Sequence, residues 1–175
     1  RHRDRNDLLH IDASPGRPSH GRRLLRLYVN MHPADPRVWQ TSLSFAELLK
    51  RYGAEVGVRA PSAGPWWRPL RHGLLRFFQA ARPSPSPFDD FLVRFHDFLK
   101  HNDRFQERAP KKCWHFAPSS AWLVFTDGLS HAELRGRFVL ELAFFIAGHG
   151  LVCPELAPFA QFQRAVATAF SPIAA

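Results

Sequence analysis

Cysteine is scarce in this chain: the two present, Cys113 and Cys153, lie far apart and form no CxxC pair. That excludes a thiolate zinc site and a dense disulfide framework, and it reads both residues as buried thiols. Long hydrophobic runs are missing too. A membrane helix needs ~20 apolar residues, whereas the longest candidate, "FVLELAFFIAG", is strand-sized and interrupted by Glu141. The N-terminus is charged and lacks the apolar core of a signal peptide, so a cytoplasmic location is expected, with peripheral contact at the inner membrane left open. There is no lysine-rich arm, no zinc-finger spacing and no internal repeat. The basic residues are scattered through "RHRDR", "GRPSHGRR", "RPLRHG" and "APKKC", so no nucleic acid partner is expected.

What is present bounds the protein differently. The 175 residues are 45% hydrophobic and 13% aromatic, enough for one domain with a sizeable core. The formal net charge of +9 and the pI near 10.7 point to an anionic partner, for which a phosphorylated substrate or a membrane surface remain.

Strand and helix patterns alternate along the chain. "RRLLRLYVNM" reads as a strand with Leu24, Arg26, Tyr28 and Asn30 on one side and Leu25, Leu27 and Val29 on the other. A face bearing Arg, Tyr and Asn is a polar lining and belongs towards a site. "SFAELLKRYG" reads as a helix, with Ser44 and Glu47 at capping-box spacing and Gly53 as its stop. "APSAGPWWRP" and "RPSPSP" read as loops on either side of a short amphipathic helix in "LRHGLLRFFQAA". "SPFDDFLVRFHDFLK" is the clearest helix: Pro87 fits its first turn, and Phe88, Phe91, Leu92, Phe95, Phe98 and Leu99 form one apolar stripe. After "KKCWHF", the strands "AWLVFTD" and "GRFVLELAFFI" are joined by "GLSHAELR", and "LAPFAQFQRAVATAF" reads as a terminal helix. Strands, inserted helices, strands and a last helix favour a mostly β (α+β) barrel or jelly roll with helical insertions.

"LLHIDASPGRP" carries the chemistry. In a strand, residues two apart share a face, so His10 and Asp12 project together while Leu9 and Ile11 point the other way. Histidine-any-acidic occurs four times, but His2 with Asp4 and His101 with Asp103 lie in charged, solvated surroundings. Only His10 and His131 follow segments apolar enough to enter a core. A two-histidine, one-carboxylate facial triad needs one close pair and one distant histidine, and it leaves positions open on Fe(II) for an oxo acid and dioxygen. His10 and Asp12 supply the pair. His131, at the end of the apolar strand "AWLVFTDGLS", is the best third ligand, ahead of His115 and His149, although a histidine satisfied within a core is its other reading.

"LLHIDASPGRPSHGRRLLRLYVNMHPADPRVWQ", "SPFDDFLVRFHDFLK" and "APSSAWLVFTDGLSHAELRGRFVLE" together resemble the Kdo hydroxylases, Fe(II)/2-oxoglutarate dioxygenases acting on the 3-deoxy-manno-octulosonic acid of the lipopolysaccharide inner core. The likeness runs in order from about His10 to Ile146, with "HID" and "VFTDGLSHA" as its most telling parts. It implies a double-stranded β-helix (jelly roll, cupin-like) and, as iron ligands, His10, Asp12 and His131. Family members carry a longer region ahead of the first histidine, so the expected barrel lacks N-terminal strands. "ELRGRFVLE", with Arg135 and Arg137, is a segment expected to be less basic in relatives. The implied organisation is one dioxygenase-like domain over 1–175: first metal-ligand strands at 1–40, a helical insertion at 41–110, distal-ligand strands at 111–150 and a C-terminal helix at 151–175. The implied activity is hydroxylation of Kdo-lipid A at carbon 3 of Kdo, consuming 2-oxoglutarate and releasing succinate and carbon dioxide. The far carboxylate of that cosubstrate calls for a bidentate cation. Arg26, beside Tyr28 and Asn30, is the preferred candidate and Arg137, on the strand after His131, the rival. A truncated or non-catalytic cupin-like metal-binding protein is the alternative.

Overall fold

A computed structural model describes residues 5–14, 16–58 and 85–170. The expected loop "APSAGPWWRP", the helix in "LRHGLLRFFQAA" and the start of "RPSPSP" lie outside the described residues, as do His2 and Asp4. Six strands are described: β1 (Arg23–Asn30), β2 (Arg37–Ser44), β3 (Lys112–Phe116), β4 (Ala121–Phe125), β5 (Leu129–Arg135) and β6 (Val139–Ile146). With them are four helices: α1 (Phe45–Val56), α2 (Pro87–His101), α3 (Asp103–Arg108) and α4 (Pro158–Phe170).

The strands form two antiparallel three-stranded sheets, in the orders β4-β1-β6 and β3-β2-β5. This is the mostly β core with helical insertions that the patterning predicts, consistent with the cupin-like fold that the resemblance implies. The alternation along β1 is as expected: Leu24, Tyr28 and Asn30 are buried, while Leu25, Leu27 and Val29 on the opposite face are only half-buried. The sheets face each other through aromatic rings. Tyr28 meets Trp39 of β2 at 4.7 Å between ring centroids, Trp122 of β4 lies 5.6 Å from Trp39, and Phe116 of β3 stacks on Trp122 at 3.8 Å. Each such ring contributes by the area it removes from water, with a further ~0.5–1.5 kcal/mol per well-oriented pair.

The helices build a second apolar layer. Phe88, Phe91, Leu92, Phe95 and Leu99 of α2 are buried with Phe45 and Leu48 of α1, Phe105 of α3, Leu43 and Ala132 of the second sheet, and Leu9 and Ile11. The expected capping box and the expected place of Pro87 are present, and the structure adds a second box. Ser44 and Glu47 make a reciprocal box at the start of α1, and Ser86 with Asp89 makes another at α2, where Pro87 needs no N–H partner.

Four expectations need correction. Helix α1 does not stop at Gly53 but runs on to Val56 and ends at Gly57, whose φ of 84° is the left-handed conformation glycine adopts without penalty. Gly53 stays inside the helix because Leu49 and Val58 close over it, leaving a Cβ at 3.1 Å from each. "GLSHAELR" is not a connection but β5 itself: β4 ends at Phe125 and Thr126–Gly128 make the turn, so His131 sits inside a strand of its own. "RVWQTSLS", from which no strand is expected, is β2, the centre of the second sheet. Finally, Cys113 and Cys153 are both free and exposed, Cys113 because β3 is an edge strand with most of its residues in solvent.

Candidate metal centre

The segment carrying His10 and Asp12 is extended, but it forms a single bridge rather than a ladder. His10 N–H donates to His131 O at 3.0 Å, His131 N–H returns a bond to His10 O at 2.8 Å, and Asp12 N–H donates to Thr126 O at 2.9 Å. Alternation then does the sorting: Leu9 and Ile11, 1% and 0% exposed, face the helical core, while His10 and Asp12 face the space between the sheets. On β5 the neighbour of His131, Ala132, turns the same way as Leu9 and Ile11.

His10, Asp12 and His131 present ligand atoms that all lie within 4.8 Å of one another. Asp12 Oδ1 is 3.6 Å from His10 Nε2 and 3.8 Å from His131 Nε2, too long for hydrogen bonds and suited to an atom between them. Both imidazoles fold back on the chain. His10 Nδ1–H donates to Leu8 O at 2.7 Å and His131 Nδ1–H to Leu129 O at 3.0 Å, so each ring turns its Nε2 towards Asp12. Histidine ligands of metals are fixed in this manner, by a carbonyl holding the other ring nitrogen. Two imidazole nitrogens and one carboxylate oxygen on one side of a buried point suit a first-row divalent ion and leave its other side open.

The surroundings set the charge states. Burial alone would push the Asp12 carboxyl up, but His10, His131 and Arg26 outweigh it and hold it well below the usual carboxylate range. Burial lowers His131 to about 4, with Asp12 opposing and His10 assisting, so the ring is neutral at pH 7. Trp39 stacks flat on His131, at 5.2 Å and 11°, and fixes its plane.

The residues expected to hold a cosubstrate are placed unequally. Arg26 lies beside the metal group: its Nε is 2.7 Å from Asp12 Oδ2, misaligned for a hydrogen bond, and its Nη1 pairs with Glu141 of β6. Tyr28 lines the same interior, stacked on Trp122 at 5.3 Å, and burial raises its phenol above the usual value. Asn30 is buried in other work: Nδ2 donates to Asp35 O and Phe116 O, both at 3.0 Å, and Oδ1 accepts from His32 N. Arg137 is not on a strand. It lies exposed in the turn between β5 and β6, next to Gly136, whose φ of 152° breaks the strand. His115 is exposed on β3 and His149 in a short 3-10 turn.

Several site residues escape the sequence reading. Arg37, 6% exposed, pairs with Glu133 of β5 inside the aromatic interior. Trp39 Nε1, Trp122 Nε1, Arg37 Nε and Thr126 Oγ1 are buried without a hydrogen-bond partner, donors that a polar ligand would satisfy. His96 of α2 reaches the centre from the helical side, its ring edge-on to His10 at 4.9 Å. Its spacing from Leu92 and Leu99 places it on the apolar stripe of α2, a signal legible in the sequence.

The family model for 3-deoxy-D-manno-oct-2-ulosonic acid (Kdo) hydroxylase matches residues 1–169. The chain belongs to the Kdo hydroxylase family. Among solved structures it is similar to the Kdo hydroxylase KdoO, described as a non-heme Fe(II) alpha-ketoglutarate dependent dioxygenase. The KdoO complex with alpha-ketoglutarate and Fe(III) superposes with a TM-score of 0.82 at 28% identity, covering 98% of this chain and 57% of that one. The complexes with succinate and Fe(III) and with cobalt(II) each give 0.81 at 29% identity, covering 95% of this chain and 54% of theirs. The chain thus spans a little over half the length of the KdoO chains. No curated protein matches it.

Proposed function

We propose that this chain carries the iron centre of an Fe(II)/2-oxoglutarate-dependent dioxygenase that hydroxylates Kdo, with His10, Asp12 and His131 as the ligands. The convergence of their three ligand atoms within 4.8 Å, each histidine held with Nε2 inward, carries the reading. The KdoO complexes with Fe(III) and alpha-ketoglutarate support it. Bound there, iron would supply activation of dioxygen coupled to oxidative decarboxylation of the oxo acid.

The protein's own part is to bind, orient and exclude water. Asp12 offers Oδ1 to the centre and turns Oδ2 to Arg26, which keeps the carboxylate ionised and its ligand oxygen aimed. The stacked rings of Tyr28, Trp39, Trp122 and Phe116 keep the interior apolar, so a carboxylate entering it needs a cation. Arg26, with Tyr28 beside it, is our assignment for the far carboxylate of 2-oxoglutarate; Asn30 would act indirectly, by fixing the loops at 31–35 and 116–117. The substrate would be the acidic sugar of a phosphorylated lipid, Kdo-lipid A, hydroxylated at carbon 3 with release of succinate and carbon dioxide. The +9 charge suits that partner and a cytoplasmic chain working against the inner membrane surface.

The test incubates the chain with Fe(II), 2-oxoglutarate and Kdo-lipid A. Succinate and a Kdo gaining one oxygen, placed at carbon 3 by NMR, are expected, and both should vanish in Asp12→Ala. Metal binding without consumption of 2-oxoglutarate would sink the enzymatic reading and leave a cupin-like metal-binding protein.

A further inference from the structure

The backbone that carries His10 and Asp12 is bonded on both sides, and the two sides differ in kind. In an extended segment, successive residues direct their peptide groups to opposite edges. His10 and Asp12 bond to backbone, that of His131 and Thr126. Leu9 and Ile11 face the other edge, where a neighbouring strand would run, and there they meet side chains from the helices. Gln106 of α3 bonds Leu9 in both directions: Leu9 N–H donates to Oε1 at 2.9 Å and Nε2 donates to Leu9 O at 2.9 Å. The same amide also donates to Leu99 O of α2 at 2.7 Å, which ties the contact to the helix itself. His96 Nδ1–H donates to Ile11 O at 2.8 Å, while its ring abuts His10.

We propose that Gln106 and His96 are positioning residues that replace a missing neighbour strand and hold the His10–Asp12 segment in metal-binding register. Neither touches the candidate ion position; both act through the peptide groups flanking His10. The primary amide of Gln106 has the donor and acceptor arrangement of a peptide group, which is why it can bond Leu9 as a strand residue would. The helical insertion is then part of the metal centre rather than only its cover. This rests on the reading of His10, Asp12 and His131 as ligands.

Co(II) is the probe, titrated into the full chain and followed by its visible absorption. Wild type is expected to bind and Asp12→Ala to lose binding; failure of that contrast refutes the ligand assignment itself, and the positioning proposal with it. Given the contrast, His96→Leu, which keeps bulk but removes the donor, should weaken Co(II) binding about 10- to 100-fold, the range for outer-shell partners of metal ligands. His96→Asn, whose amide nitrogen can stand near Nδ1, should restore affinity to within a few-fold. Gln106→Met should show the same loss, which keeps the test available if His96→Leu does not fold. Wild-type affinity in the Leu and Met variants would overturn the proposal. So would an Asn variant as weak as Leu, since a purely packing role for the imidazole predicts that outcome.

Discussion

Replacing Arg26 by Met removes a guanidinium while keeping most of its stem, and the structure sets what is lost. Nε of Arg26 stands 2.7 Å from Asp12 Oδ2, the two side chains being 22% and 13% exposed. Removing one partner of a buried ion pair costs about 3–5 kcal/mol, because the other charge is left without compensation. The exposed fifth of Arg26 argues for the low end, about 3 kcal/mol, after allowance for screening. For a domain of this size ~1 kcal/mol moves Tm by about 2–4 °C, so the metal-free variant should melt roughly 6–12 °C lower. The cosubstrate gives a second, independent readout. With Nε against Asp12 and Nη1 on Glu141, Nη2 remains for 2-oxoglutarate, and loss of that charge-assisted contact should cost about 1.5–3 kcal/mol, or roughly tenfold or more in affinity. Thermal melts followed by circular dichroism and calorimetric titration of 2-oxoglutarate into the Co(II)-loaded chain measure the two effects. An unchanged Tm would refute the stabilising pair with Asp12. A lowered Tm with undiminished 2-oxoglutarate binding would refute the clamp, and a large loss in Arg137→Met would move it to that residue.

Other outcomes follow from the same geometry. His10→Ala, Asp12→Ala and His131→Ala should each abolish iron-dependent 2-oxoglutarate turnover, whereas His101→Ala and His115→Ala, at exposed positions, should not; turnover surviving in His131→Ala would break the assignment. Acid should weaken the metal-free fold from pH 6.5 downwards: His131 is held to about 4 in the fold against an ordinary 6.5. Between those values the unfolded chain binds the extra proton, so stability falls as pH drops through the window and is level above it. His96, lowered to about 4 by burial, adds in the same direction, and urea midpoints at about pH 7.5 and 5 would expose a flat profile as a contradiction. Gly21→Ala should destabilise by about 1–3 kcal/mol, since φ is +81° and the new Cβ would stand 2.8 Å from the Phe159 ring; an unchanged urea midpoint would show that α4 yields freely.

What the sequence made legible was periodicity and its local punctuation. The two-residue repeat in "LLRLYVN" placed Arg26 and Tyr28 inward, the Ser44–Glu47 capping box placed the start of α1 and Pro87 that of α2, and "HID" set its two side chains on one face. Failures came where an outcome depends on distant partners. "AWLVFTDGLS" reads as one apolar strand until the Thr126–Gly128 turn is seen, where Arg23 crosses from β1 to bond Asp127 at 2.9 Å. Asn30 on an inward face looks like a site residue, yet its amide serves carbonyls of residues 35 and 116. Glu141, read as an interruption in an apolar run, is the residue that pairs with Arg26 between the neighbouring strands β6 and β1. Gln106 carried no signal at all, because what makes it matter is the peptide of Leu9, 97 positions away.

The inward Nε2 atoms also fix a proton inventory. A metal must displace whatever protons its ligands hold, and in most sites that exchange makes loading acid-sensitive. Here the Asp12 carboxyl is already ionised and the His131 ring already neutral at pH 7. These two ligands have nothing to release when an ion arrives, so their share of the binding heat should not change with the ionisation enthalpy of the buffer. Their affinity would be spent on the ion rather than on driving protons into solvent, and at His131 acid would begin to compete only near pH 4.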